Sequence, residues 1–249
     1  MNAKSYFLIT FIIIGAHISF IARAATFTQE KQLSSRLSAE IADFWQTGSF
    51  SSFSGIDNKR INYASFISTE PKNCLVISPG RSESYLKYKE LAYDLSQLNI
   101  NIFIIDHRGQ GLSERLLDNP HKGFVNKFDD YADDLHTLIT NVVNPHCPSK
   151  EKPLLLAHSM GGAIATRLMQ KYPNILKAAL LSSPMIAINN SGLPEWLAKT
   201  LINSGSFINQ LFVKQAWYFI GQNDYQAKSF ENNSLMQSPV RFQIFNDLY

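Results

Sequence analysis

The chain has 249 residues, 45% of them hydrophobic and 17% charged, with a formal net charge of +3. That composition excludes a disordered or collagen-like chain, and two cysteines exclude a disulfide-dense scaffold or a four-cysteine zinc site. Lys4 and Arg23 are the only charges in residues 1–24, so 21 basic and 20 acidic residues remain, with no basic stripe to suggest a nucleic-acid partner.

In chain order, Lys4 precedes the apolar run Phe7–Ala16, and Ala22-Arg23-Ala24 follows. Positive, apolar and small residues in that order predict a signal peptide over 1–24, cleaved after Ala24, with export to the periplasm or medium. The alternative is retention as a membrane anchor, for which the run is short. Leu33, Leu37, Ile41 and Phe44 predict one helix within 28–46. Residues 49–68 read as a hairpin turning at Gly55-Ile56-Asp57-Asn58.

Short apolar strands then alternate with helices. Strands are predicted at Leu75–Ser78, Ile100–Ile105, Leu154–Ala157 and Ala178–Leu181. One helix, over 84–98, faces inward with Tyr88, Leu91, Ala92, Leu95 and Leu98. A second, over 127–143, does so with Phe128, Tyr131, Leu135, Leu138 and Val142, and a third runs to Lys171. This rhythm predicts an α/β fold with a mostly parallel sheet covered on both faces. Residues 186–249 break it and read as a helical insertion with an oily face. An oxidising compartment opens a pairing between Cys74 and Cys147, which sit at one edge of the sheet if their two strands are neighbours; otherwise they are two thiols.

The chemistry centres on Ala157-His158-Ser159-Met160-Gly161-Gly162, between a strand and a helix. In that context the tract reads as a nucleophile elbow, with Ala157 replacing the usual first glycine and Ser159 carried on a sharp turn. Acyl transfer also needs oxyanion donors. The backbone N–H of Met160 and that of Arg81, in the loop Ser78–Glu83, are the candidates.

Asp106-His107-Arg108-Gly109-Gln110-Gly111 matches neither a phosphate-binding loop nor a dinucleotide fingerprint. It reads as a turn pinned by Asp106 and Arg108, with His107 structural rather than a base. Asp129, Asp130, Asp133 and Asp134 suit a helix N-terminus better than a metal site, on the face opposite the apolar stripe. No cofactor or metal is expected.

Four tracts together resemble the α/β-hydrolase superfamily: Pro79–Tyr85, Asp106–Gly111, His121–Val125 and Leu156–Ala163. Within it, they resemble the monoacylglycerol lipase and lysophospholipase group, and in that group the bacterial lysophospholipase L2 type. The resemblance implies an α/β-hydrolase core over 25–185 and a cap over 186–249. It also implies a serine esterase cleaving a lysophospholipid or monoacylglycerol, with association to a membrane surface. Two departures stand out: an export signal, and the absence of any histidine after His158. The triad order in this fold is Ser, acid, His. Only Asp224 and Asp247 follow Ser159 as aspartates, both in the cap-like tract. The resemblance implies that the last core strands, with the triad Asp and His, lie beyond Tyr249. The alternatives are an inactive lipid-binding remnant of a disrupted gene, or a serine peptidase or thioesterase of the same fold.

Overall fold

A computed structural model describes residues 27–117, 124–148, 151–186 and 196–197. The predicted signal segment, His121–Gly123, and the helical insertion expected over 186–249, with Asp224 and Asp247, lie outside the described residues, apart from Ile186, Trp196 and Leu197.

Six strands form one mixed sheet: β1 (Ser49–Ser54), β2 (Arg60–Phe66), β3 (Asn73–Ser78), β4 (Ile100–Ile105), β5 (Leu154–His158) and β6 (Ala178–Ser182), in the order β1-β2-β4-β3-β5-β6. β1 and β2 are the antiparallel hairpin, turning through Asp57 and Asn58 at positive φ. β2 pairs antiparallel with β4, and β3, β4, β5 and β6 run parallel.

Because side chains alternate along a strand, each apolar strand feeds two cores. Cys74 and Val76 of β3, with Phe103 and Ile105 of β4, face helices α4 (Asp129–Leu138) and α5 (Met160–Lys171) through Leu135, Leu138, Ile164 and Leu168. Leu75 and Ile77, with Ile102 and Ile104, face Trp45 of helix α2 (Glu40–Gln46) and Ala92 of helix α3 (Lys89–Ser96). Fully burying one such aliphatic side chain contributes about 1.5–3 kcal/mol.

Four expectations need correction. The predicted N-terminal helix is two, α1 (Glu30–Leu37) and α2, because the chain leaves helical geometry at Ala39 (φ −124°, ψ −109°). Ser38 turns its hydroxyl back onto the Ser34 and Ser35 carbonyls, satisfying the end of α1 and letting the chain bend. The predicted helix over 84–98 begins as a 3₁₀ turn over Tyr85–Tyr88 and ends at Ser96, which leaves Leu98 exposed. After α4 a π-helical turn, Ile139–Val143, inserts a wider loop into the helix. Val143 is fully buried there and Val142 is partly buried against the same core, while Phe128 lies ahead of the helix and is exposed. Finally, the four aspartates of α4 do not share an outer face: Asp130 and Asp134 are buried.

Cys74 and Cys147 form a disulfide, their Cα atoms 5.4 Å apart, tying the head of β3 to the segment after the π turn. Among the described residues no helix is long and apolar enough to cross a membrane.

Candidate active site

β5 runs straight into the turn at Ser159, and α5 starts at the next residue. Ser159 has φ 50° and ψ −117°, a conformation that a non-glycine residue adopts only when its surroundings impose it. They do so through the backbone. The Ser159 N–H donates to the Ser182 carbonyl at 3.0 Å, and its own carbonyl accepts from Gly162 and Met185 at 2.9 Å each. The small residues around it have steric causes. A Cβ at Gly161 would lie 2.1 Å from the Ser78 carbonyl oxygen, and one at Gly162 would lie 2.6 Å from the Pro184 Cβ. Met160 therefore opens a helix pressed tightly against the ends of β3 and β6. Its first-turn N–H groups carry the helix's partial positive charge to the rim where Ser159 stands.

The loop after β3 comes to the same rim. A Cβ at Gly80 would stand 3.1 Å from the Ser159 Cβ. The Gly80 N–H is already used, donating to Glu83 Oε2 at 2.6 Å, and the Gly80 carbonyl accepts from Gln110 Nε2 at 2.9 Å. Pro79 and Gly80 thus lie against the elbow of Ser159 and Gly161, and Arg81 follows Gly80 in the chain.

The loop after β4 braces this assembly. Asp106, completely buried, accepts from the Tyr85 and Leu112 N–H groups at 2.5 and 2.7 Å and from the Ser84 hydroxyl at 3.2 Å. Burial still outweighs these donors and raises its pKa to about 7. Gly111, at φ 55°, leaves room for that carboxylate, since a Cβ there would overlap it. His107 is also fully buried, with Nε2 2.9 Å from Ser78 Oγ, and the Ser78 hydroxyl faces the Gly161 carbonyl at 3.4 Å. Burial lowers the His107 pKa to about 3, so the ring stays neutral. Arg108 turns away from the site. Its guanidinium forks onto Asp134 at 2.6 and 2.8 Å, with Asp130 at 3.4 Å.

The remaining helix aspartates are structural as well. Asp129 binds Arg167, and Asp133 binds Lys171 and Tyr172, stitching α4 to α5. Among the described residues no group of three or more His, Cys, Asp or Glu side chains is arranged to hold a metal.

Sequence reasoning gave no site role to Glu83, Gln110 or Tyr88, the last expected only to face inward. Their only local signal is the spacing of Glu83 three residues beyond Gly80, a separation common in ordinary turns.

A family described as serine aminopeptidase, S33 matches residues 69–249. The chain is 38% identical over 216 residues to lysophospholipase L2 of Escherichia coli K12, covering 87% of this chain and 62% of that protein. It is 28% identical over 153 residues to a monoacylglycerol lipase of Mycolicibacterium smegmatis, covering 61% of this chain and 52% of that one. The chain thus spans less than two thirds of the length of these relatives. A carboxyl esterase from Bacillus coagulans shares the fold, with a TM-score of 0.56 at 17% identity over 75% of this chain and 66% of that one. With the strand–elbow–helix geometry at Ser159, the match over residues 69–249 establishes that the chain belongs to the serine aminopeptidase S33 family of α/β-hydrolases.

Proposed function

We propose that the protein is a serine hydrolase of monoacyl lipid esters, a lysophospholipid or a monoacylglycerol, with Ser159 as nucleophile. The observation that carries this is Ser159 itself, held at positive φ between β5 and α5 with the Pro79–Arg81 loop against it. In this reading Ser159 Oγ attacks the acyl carbonyl, and the N–H groups of Arg81 and Met160 receive the negative charge that develops on its oxygen. The cap over 186–249 would take the acyl chain at a membrane surface.

In this fold the base is a histidine that follows the nucleophile, and none follows Ser159 within the 249 residues. Without that base Ser159 is a weak nucleophile, so Ser159-dependent hydrolysis and labelling of these 249 residues are expected to be slow.

The test is fluorophosphonate labelling and the hydrolysis of lysophospholipids, monoacylglycerols and short esters, with Ser159→Ala alongside. Labelling and turnover should both vanish in the variant. Turnover that survives Ser159→Ala overturns the proposal, and lipid binding without any Ser159-dependent turnover favours the lipid-binding remnant. Export is part of the proposal, supported by Lys4, the apolar run, Ala22-Arg23-Ala24 and the Cys74–Cys147 disulfide. The mature mass should begin at Ala25; cytosolic protein that retains residues 1–24 contradicts it.

A further inference from the structure

Glu83 is 7% exposed and lies against the loop that faces Ser159. Its Oε2 accepts from the Gly80 N–H and from the Tyr88 hydroxyl, both at 2.6 Å. Its Oε1 pairs with Lys87 Nζ, and His158 Nε2 stands 3.8 Å away. Burying a carboxylate is unfavourable unless it is paired and hydrogen-bonded. Here it is buried beside the point where negative charge would develop in ester hydrolysis. A bare carboxylate there would oppose that charge, so the pairing with Lys87 is needed electrostatically as well as for burial.

The two ends of Gly80 explain what the carboxylate does. A trans peptide is planar, with its C=O and N–H pointing in opposite directions, and no described peptide bond is cis. The Pro79–Gly80 plane is fixed by Glu83 through the Gly80 N–H. The Gly80–Arg81 plane is fixed by Gln110, whose Nε2 donates to the Gly80 carbonyl while its Oε1 accepts from the Ser82 N–H at 3.2 Å. Because the Gly80 carbonyl points at Gln110, the Arg81 N–H of the same plane points away from Gln110. Gly80 itself is confined between Glu83 and Ser159, since a Cβ there would lie 3.1 Å from both Glu83 Oε2 and the Ser159 Cβ.

We propose that Glu83 and Gln110 are positioning residues that clamp the two peptide planes flanking Gly80 and so aim the Arg81 N–H at the oxygen of the reacting ester. This rests on the ester-hydrolase reading above. It adds a source for the aim of that donor: two side chains outside the triad, from the loops after β3 and β4.

The experiment compares the parent chain with Glu83→Gln and Gln110→Met, each clamping a different plane. Glu83→Gln keeps the shape and loses the charge; Gln110→Met keeps the length and loses the donor. Thermal melting first establishes that each variant is folded. Hydrolysis of a short p-nitrophenyl ester and Ser159 phosphonylation are then followed, together with the amide resonances of Gly80 and Arg81. A donor displaced by about 1 Å costs up to about 100-fold in rate, so kcat and the phosphonylation rate should fall about 10- to 100-fold, with KM within about twofold. The Gly80 amide resonance should move upfield in Glu83→Gln as it loses its carboxylate acceptor. Folded variants with parental kcat, or a Gly80 amide unmoved by Glu83→Gln, overturn the proposal and leave the hydrolase reading intact. A parent chain with neither Ser159-dependent turnover nor labelling removes the hydrolase reading, and this inference with it.

Discussion

Ser159 occupies a backbone conformation that costs a non-glycine residue about 1–3 kcal/mol, and backbone hydrogen bonds to residues 162, 163, 182 and 185 hold it there. A glycine at this position relieves the strain without disturbing those bonds. Ser159→Gly should therefore raise the unfolding free energy in urea by about 1 kcal/mol, less the extra backbone entropy of glycine, while abolishing fluorophosphonate labelling. A variant markedly less stable than its parent contradicts this account of the elbow. Ser159 was legible in the sequence because everything that marks it is local: an apolar strand, small neighbours and a helix start within a dozen residues. Glu83 and Gln110 were not, because their partners are the two backbone groups of Gly80. No composition or period tells which polar side chain of a loop turns back onto its own main chain and which faces water.

Helix α4 shows the same limit over a longer range. Its apolar stripe was readable through Tyr131, Leu135 and Leu138, all buried. Periodicity alone then placed all four aspartates on the opposite face. Asp134 is instead drawn inward by Arg108, which lies 26 residues away in sequence and is 1% exposed, and by the Ile56 N–H at 2.9 Å. The π turn that follows carries no sequence mark, and it brings Val143 into the core beside Val142. The two kinds of aspartate should respond differently to truncation. Asp134→Ala leaves the buried Arg108 guanidinium with only Asp130 at 3.4 Å and the Ile56 carbonyl at 3.2 Å, and should cost about 3 kcal/mol. Asp129→Ala removes a solvent-screened pair with Arg167 and should change stability little. Denaturant titration of both variants checks this, and equal losses would refute the distinction.

For the molecule as a whole, the α/β class and the strand segments were readable because each element carries its own period. The sheet order was not, since the placement of β3 between β4 and β5 is a pairing between segments about 25 to 80 residues apart. The disulfide spans a comparable distance. Cys74 and Cys147 are separated by 73 residues, and closing a loop of that length should contribute about 4 kcal/mol by restricting the unfolded chain. Unfolding with and without reductant measures it, and identical midpoints would refute it. The junction between β6 and the chain that leaves it has a mechanical consequence. The strand ends at Ser182, the backbone bends at Ser183 with φ 44°, and Met185 returns its N–H to the Ser159 carbonyl. The exit of β6 is therefore tied to the nucleophile's own main chain, so a change that loosens the Ser183–Met185 turn would be felt first at Ser159.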